Sequence, residues 1–161
     1  MIRILFVCLG NICRSPMAEA VMRHLINQEG LQDDIVVDSA GTGHWHIGKP
    51  PHEGTRSILD QYQISYEGQK ARQLEPSDLS AFDYIIGMDH ENVGNSKKLA
   101  GDLPTGTIRQ LLDYIEDSPV KDVPDPYYTG QFDKVYDMVL KACENMLKEI
   151  KHRHNLKGKG E

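Results

Sequence analysis

The sequence has little cysteine, one tryptophan and no long apolar run. Its three cysteines are an odd number without regular spacing, which argues against a disulfide framework and favours a reducing compartment, the cytoplasm. No stretch approaches the ~18 apolar residues that a membrane span needs, so we expect no membrane insertion. The apolar start, IRILFVCLG, has one arginine and no small-residue cleavage site after it, which favours a buried strand over a secretory signal.

Positive charge is also scarce. The net charge is −6 and no basic stripe is present, which argues against a nucleic-acid partner. The one basic cluster, KEIKHRHNLKGKGE, is interpreted as a solvated helix end that frays, with a functional basic arm as the alternative. We therefore predict one domain over residues 1–152, followed by a basic, flexible tail over 153–161. A monomer is favoured.

The seven histidines do not form a metal-binding pattern. His44 and His46 are two residues apart, as are His152 and His154, but neither pair has a cysteine or glutamate nearby in ligand order. We expect surface histidines, no metal and no cofactor.

Apolar, β-branched runs alternate with helical patterns along the chain. Strands are predicted at 2–7, 35–41, 83–88 and, more weakly, 106–112. A first helix is predicted after an N-cap at Ser15 with Pro16 just inside it, and residues 56–64 are predicted to be a second helix or part of one. A polar helix is predicted from about Asp89. The last helix is predicted from an apolar stripe that includes Val135, Val139, Ala142, Cys143, Met146 and Ile150. This alternation predicts a single Rossmann-like, three-layer α/β domain, with a central parallel sheet of about four strands and helices on both faces.

Ligands of such sheets bind outside the carboxyl ends of the strands. The polar residues at the ends of the first three predicted strands are Cys8 onward, Ser39 and Asp89. We expect them to lie near one another.

The stretch VCLGNICRSP follows the first strand and leads into a helix. Backbone N–H groups and the dipole at a helix N-terminus favour an anion, and Gly10 and Asn11 tolerate the backbone angles that a tight loop requires. Arg14 adds a planar fork suited to two phosphate oxygens. Cys8 faces the same positive centre, which stabilises a thiolate, and Ser15 could donate to its sulfur. Residues 8–15 are therefore predicted to form an oxyanion-binding loop, the cradle, with the Cys8 thiolate as a nucleophile. The alternative, that Cys8 is only a small buried hydrophobic residue, would leave Arg14 unexplained.

A general acid is needed to protonate the leaving oxygen. The candidate is Asp125 in VPDPYYTG, held between Pro124 and Pro126, with Tyr127 and Tyr128 able to wall an aromatic substrate. The residues alone favour equally an ordinary Asp-Pro turn that starts the last helix.

The segment FVCLGNICRSPMAEAV closely resembles the active-site motif of low-molecular-weight protein tyrosine phosphatases. The similarity continues through VDSAGTGHWHIGKPP, ARQL, FDYIIGMD and DPYY, in the family's order and approximate spacing. The resemblance implies a phosphatase acting on a phosphotyrosine protein or a small aryl phosphate. Its expected mechanism is a phosphocysteine at Cys8, phosphate held by Arg14 and loop amides, and Asp125 as general acid and base.

The resemblance also implies roles for further residues. Asn11, Ser15 and Ser39 are expected to support the phosphate loop. The substrate pocket is expected to contain Leu9, Ile12, Trp45, Tyr127 and Tyr128. Cys13 is either a buried spacer or a reversible disulfide partner of Cys8, and the family supports the second role.

One position departs from the family pattern. Gln69 stands where several members carry a histidine that braces the loop, so the bracing network is expected to differ while the chemistry survives.

Three other functions compete with that of a tyrosine phosphatase. Arsenate reductases of this architecture need two further cysteines near the middle of the chain, and none lies between Cys13 and Cys143. Phosphoarginine phosphatases carry a threonine at the position of Ile12 and lack the tyrosine pair. The third alternative is not enzymatic: a phosphate-binding module, or a redox sensor that uses the Cys8 and Cys13 pair. A catalytically inactive module should lack the nucleophile or the acid, and this sequence has both.

Overall fold

The computed structural model describes residues 1–159, and within them four strands form one parallel sheet. The strands are β1 (Ile2–Cys8), β2 (Ile35–Gly41), β3 (Tyr84–Gly87) and β4 (Thr107–Gln110), in the spatial order β2-β1-β3-β4. The helices are α1 (Arg14–Gln28), α2 (Glu53–Gln61), α3 (Pro76–Ala81), α4 (His90–Ala100), α5 (Pro126–Thr129) and α6 (Phe132–Arg153), with a 3₁₀ turn at Leu111–Tyr114. The predicted α/β fold is confirmed.

Residues of β1 alternate between two cores, one on each face of the sheet. Ile4 and Phe6 pack in the larger core with α1, α2 and α6, whereas Leu5 and Val7 pack in the smaller core with α3 and α4. A strand buried on both faces reads as a continuous apolar run, which is why β1 was recognisable from sequence.

The loop after β1 lies where the order of the strands reverses, since the chain moves to one side of β1 for β2 and to the other side for β3 and β4. β2 pairs with one edge of β1 and β3 with the other, so Cys8 lies opposite Gly41 and Val7 opposite Gly87. Such a reversal opens a crevice at the carboxyl ends of the strands.

Several predicted boundaries were wrong. α2 spans 53–61 rather than 56–64, because the His52 imidazole accepts a hydrogen bond from the Gly54 N–H and starts the helix early. β4 stops at Gln110, where the chain turns into the 3₁₀ segment instead of continuing to 112. α1 begins one residue before Ser15, with Cys13 at the N-cap position. α3 and α5 were not predicted.

α6 is the longest helix, at 22 residues, and its buried stripe contains all six predicted residues. No helix within residues 1–159 is both long and apolar enough to cross a membrane.

The chain continues past α6 along the end of α1. The Lys159 N–H donates to the Glu29 carbonyl at 2.8 Å, Leu156 packs against the larger core, and the Lys151 ammonium bonds the Glu29 carboxylate at 2.6 Å. Residues 160–161 of the predicted tail lie outside the described residues, and the predicted boundary at 152 stays a prediction.

Candidate active site

Cys8 ends β1 at the bottom of a cleft and is 2% exposed. Its sulfur accepts a hydrogen bond from the Asn11 N–H at 3.3 Å and lies 2.9 Å from the Ser15 hydroxyl. Asn11 adopts a left-handed backbone angle, φ 55°, which turns its N–H toward the sulfur. Two hydrogen-bond donors, the Asn11 N–H and the Ser15 hydroxyl, are therefore within reach of the Cys8 sulfur.

The direction of the hydrogen bonds around Asn11 is fixed by the Arg72 backbone. Because an N–H can only donate, the Arg72 N–H at 2.9 Å identifies Oδ1 of Asn11 as the acceptor. The Nδ2 group of Asn11 therefore donates to the Ser15 hydroxyl at 2.8 Å and to the Ser39 hydroxyl at 2.9 Å. Ser15 accepts this bond, which leaves its own proton free to be donated to the Cys8 sulfur.

Arg14 begins α1 and is 3% exposed. Its Nη1 donates to the Asp89 carboxylate at 2.8 Å and to the Val123 carbonyl at 2.9 Å, and its Nη2 lies 3.5 Å from Asp125 Oδ2. Burial by itself lowers the pKa of Arg14, but Cys8, Asp89 and Asp125 outweigh it and raise the pKa above its ordinary value. The Nε atom is buried and has no hydrogen-bond partner among residues 1–159, so it stays available for an anion in the cradle.

The strand-end residues therefore meet as expected. Ser39 reaches the cradle through Asn11, and Asp89 reaches it through Arg14. Asp89 also caps α4, since its Oδ1 accepts a hydrogen bond from the Asn92 N–H at 2.8 Å.

Asp125 lies at the mouth of the same cleft. It caps α5 by accepting a hydrogen bond from the Tyr127 N–H at 3.1 Å, and its other oxygen faces Arg14. The Asp-Pro turn starts the short helix α5 and not the last helix, α6, whose N-cap is Gln131. The same turn places the Asp125 carboxylate beside Arg14. Its side chain is 22% exposed, which leaves it accessible to a ligand.

Aromatic side chains form the rim of the cleft. Trp45 is 62% exposed and stacks on His44, with ring centroids 5.4 Å apart. Tyr127 and Tyr128 meet edge to face at 5.2 Å. The five predicted pocket residues all line this cleft, whose volume is about 360 Å³: Leu9, Ile12, Trp45, Tyr127 and Tyr128.

A family model described as low molecular weight phosphotyrosine protein phosphatase matches residues 3–156 of this chain. The chain belongs to this family. The low molecular weight protein-tyrosine-phosphatase YfkJ of Bacillus subtilis is 54% identical over 156 residues, covering 97% of this chain and all of YfkJ. PtpA of Staphylococcus epidermidis is 49% identical over 159 residues, covering 98% of this chain and 99% of PtpA.

Solved structures of family members superpose on this one. The crystal structure of YfkJ matches with a TM-score of 0.93 and 55% identity, covering 95% of this chain and 96% of that one. A Drosophila arginine phosphatase matches with a TM-score of 0.87 and 36% identity, covering 94% of this chain and 98% of that one. The predicted membership of a family of protein-tyrosine-phosphatases, which are hydrolases, is confirmed.

Sequence reasoning missed Glu19, a buried carboxylate behind the loop that follows β1. Glu19 is 6% exposed and accepts a hydrogen bond from the Ser39 hydroxyl at 2.6 Å. Arg23, one turn further along α1, pairs with it at 2.5 Å. Because Ser39 donates to Glu19, its oxygen must accept from Asn11, which gives the supporting network one polarity. The signal was a glutamate inside the otherwise apolar helix start MAEAV.

We expect Glu19→Ala to destabilise the fold by about 1–3 kcal/mol, because the Ser39 hydroxyl would lose its acceptor in a buried site. Chemical denaturation measures this difference. Glu19→Gln should lose less, since the amide oxygen still accepts. A loss below about 0.5 kcal/mol for Glu19→Ala, typical of a surface substitution, would contradict this assignment.

Sequence reasoning also misplaced His46. It was expected at the surface, but it is partly buried, lines the cleft and lies 6.1 Å from the Tyr127 ring. A Cβ on Gly10 would stand 3.0 Å from the His46 ring, so the glycine allows the imidazole to pack on the loop. His154 is exposed, yet its Nε2 bonds the Tyr84 hydroxyl at 2.9 Å.

Gln69 contacts the start of α1 through its side chain. Its Nε2 donates to the Pro16 carbonyl at 3.1 Å and so fastens the first turn of α1. Its Oε1 is buried without a hydrogen-bond partner in the described part of the chain.

All three cysteines are free thiols. Cys13 lines the cleft, and burial, followed by the charges of Cys8 and Asp125, raises the pKa of Cys13 to about 12. Cys143 lies in the larger core, where burial raises its pKa.

No three histidine, cysteine, aspartate or glutamate side chains are grouped to hold a metal ion anywhere in residues 1–159. The expectation that catalysis needs no metal or cofactor stays a prediction.

Proposed function

We propose that this chain hydrolyses phosphotyrosine through a phosphocysteine intermediate on Cys8. The observation that carries the proposal is the meeting of three groups in one cleft: a buried cysteine sulfur, a guanidinium with a free Nε, and a carboxylate 3.5 Å from that guanidinium. A nucleophile, an anion holder and a proton donor are the parts that phosphoryl transfer from an ester requires.

In the first step, the loop N–H groups and Arg14 hold the equatorial phosphate oxygens. The Cys8 sulfur attacks phosphorus and forms an S–P bond, while the bond from phosphorus to the tyrosine oxygen breaks. Asp125 gives its proton to that oxygen, so the leaving group departs as neutral tyrosine rather than as a phenolate.

In the second step, Asp125 takes a proton from a water molecule that attacks phosphorus. The S–P bond breaks and the electron pair returns to sulfur. The Ser15 hydroxyl, 2.9 Å away, donates to the thiolate and stabilises it as a leaving group.

The depth of the site favours phosphotyrosine over phosphoserine. Cys8 is almost fully buried, so a phosphate bonded to it must enter on a long stem. The exposed rings of Trp45, Tyr127 and Tyr128 at the rim can contact an aromatic stem, which adds apolar and ring-stacking interactions. The short side chain of phosphoserine would leave these rings without contact.

Phosphoarginine is the second candidate, because a Drosophila arginine phosphatase shares this fold at 36% identity. Ile12 lines the cleft and is 7% exposed, and its apolar side chain offers no acceptor to the N–H groups of a phosphoguanidinium. Ile12 and the tyrosine pair therefore favour a phosphotyrosine substrate.

We further propose that the substrate is a tyrosine-phosphorylated protein or a small aryl phosphate, and that the protein is a monomer. We also propose a cytoplasmic location, which the three free thiols support because thiols stay reduced there.

We propose Cys13 as the reversible disulfide partner of Cys8. Both thiols line the same cleft. A peroxide would oxidise the Cys8 thiolate to a sulfenic acid, which condenses with the Cys13 thiol to form the S–S bond and release water. The raised pKa of Cys13 keeps it a thiol, the form that condenses with a sulfenic acid on Cys8.

The test is phosphate release at mildly acidic pH from three matched peptides that carry phosphotyrosine, phosphoserine or phosphoarginine. We expect release from phosphotyrosine at least about 100-fold faster than from the other two, the factor a positioned catalytic group is worth. Faster release from phosphoarginine would select the second candidate. No release from any peptide would refute a phosphatase.

A further inference from the structure

Asp122 is the most extensively bonded side chain in the loop that leads to Asp125. Its Oδ1 accepts hydrogen bonds from the His90 N–H at 2.9 Å and from Gln110 Nε2 at 2.8 Å, and its Oδ2 lies 2.7 Å from His90 Nδ1. Gln110 Nε2 also donates to the Lys121 carbonyl at 2.8 Å. These residues, Asp122, His90 and Gln110, form what we call the Asp122 clamp, which ties the loop to the start of α4 and the end of β4.

The clamp lies next to the backbone that contacts the cradle. The Val123 N–H donates to the Met88 carbonyl at 2.8 Å, and the Val123 carbonyl accepts from Arg14 at 2.9 Å. Pro124 then restricts the backbone before Asp125. A shift at Asp122 therefore reaches the Asp125 carboxylate across three residues with few rotatable bonds.

The charges within the clamp attract one another. Hydrogen bonding to Asp122 raises the pKa of His90, to which the charges of Asp122, Glu91 and Asp89 add. Burial of Asp122 opposes its ionisation, but hydrogen bonds from His90 and Gln110 outweigh this and lower its pKa. The pair is nonetheless 72% and 40% exposed, and ion pairs at such exposure contribute little to global stability. The His90–Asp122 pair should instead affect the position of the loop that leads to Asp125.

We propose that Asp122 is a positioning residue that holds Asp125 where it can protonate the leaving oxygen. This inference rests on the general-acid role of Asp125 in the proposed function. It assigns Asp122, His90 and Gln110 to catalysis although none of the three lines the cleft above Cys8.

The test is the dependence of kcat/KM on the leaving group, measured with aryl phosphates from nitrophenyl to unsubstituted phenyl phosphate. A well-placed acid protonates the leaving oxygen, so kcat/KM varies little along this series. A misplaced acid leaves poor leaving groups unprotonated, and only those substrates slow down. We expect Asp122→Ala to lower kcat/KM about 10-fold for phenyl phosphate and less than about twofold for nitrophenyl phosphate, because small misplacements cost up to ~100-fold.

Two further variants guard against a purely structural effect. Gln110→Ala removes another bond of the clamp and should shift the leaving-group dependence in the same direction by a smaller factor. Asp122→Asn keeps an acceptor for the His90 and Gln110 donors and should restore part of the lost rate. Glu116→Ala is the matched control, since this exposed carboxylate of the same loop forms no hydrogen bond or ion pair with the residues described, and it should behave as wild type.

A double-mutant cycle that combines Asp122→Ala with Asp125→Ala tests whether Asp122 acts through Asp125. If Asp122 acts through Asp125, removing both should cost no more than removing Asp125 alone. Fully additive losses, or an equal loss for every aryl phosphate with a lowered Tm, would overturn the inference. If the leaving-group dependence of kcat/KM is unchanged in Asp122→Ala but steep in Asp125→Ala, the role of Asp122 is refuted while the role of Asp125 as general acid stands. An unchanged dependence in Asp125→Ala itself would instead remove the acid from the proposed function.

Discussion

Cys8→Ser is expected to reduce phosphate release by at least about 10⁴-fold, because removing a covalent nucleophile costs far more than removing a supporting group. The serine oxygen can still accept from the Asn11 N–H, as the sulfur does at 3.3 Å, so the loop should keep its shape. A hydroxyl is weakly acidic, however, and its hydrogen-bonded neighbour, Ser15, is oriented to donate a proton and not to take one. Initial rates with an aryl phosphate measure the loss.

The matched control for this variant is Cys143→Ala. That cysteine is fully buried in the larger core, so its replacement should lower the free energy of unfolding while leaving the rate constant per folded molecule unchanged. Residual activity of Cys8→Ser above about 1% of wild type would contradict a cysteine nucleophile.

Arg14→Lys is expected to lower kcat/KM by about 10³-fold, although it keeps the positive charge. A lysine offers a single ammonium and cannot bond Asp89 and Val123 while also presenting a planar fork to the phosphate. Its loss should appear in both phosphate affinity and kcat, because Arg14 holds charge in the ground state and in the transition state. Steady-state kinetics and competitive inhibition by inorganic phosphate measure the two effects.

Arg109→Lys provides the comparison for Arg14→Lys. Arg109 also pairs with a carboxylate, Glu149 at 3.3 Å, but outside the cleft, and it should retain activity within about twofold of wild type. If Arg14→Lys lost less than about tenfold, a point charge would suffice and the planar fork would have no catalytic importance.

Sequence reasoning worked best where one local pattern has one structural outcome. The apolar run at residues 4–7 of β1 predicts burial on both faces, and the loop after it combines a cysteine, an arginine and a helix start. The rule for strand ends then brought Ser39 and Asp89 to that loop. Each of these inferences used neighbours in sequence, or the geometry common to all parallel sheets.

It failed where a side chain has a partner distant in sequence. Ser15 is a good N-cap residue, but its hydroxyl lies beside the Cys8 sulfur, so the helix starts without it. Glu19 resembles an exposed helical residue until Ser39, twenty positions away, is placed against it. His90 and Asp122 are 32 positions apart, and no local pattern pairs them.

The boundaries of the shorter elements failed for the same reason. The early start of α2 depends on the His52 ring, which also stacks on Phe132 at 5.1 Å. The early end of β4 depends on Gln110, whose side chain donates hydrogen bonds to the Lys121 carbonyl and to the Asp122 carboxylate. Propensity is a weak determinant where such tertiary contacts compete with it.

The most direct test of the central claim is to find where the phosphoryl group goes during turnover. The protein would be mixed with an aryl phosphate that has a good leaving group, quenched rapidly in acid, digested and analysed by mass spectrometry. Asp125→Ala should accumulate the intermediate, because a good leaving group departs without the acid while hydrolysis still lacks its base. We predict one phosphoryl group on the peptide that contains Cys8. A phosphoryl group on any other residue, or continued turnover with no phosphorylated peptide at the earliest times, would contradict the mechanism.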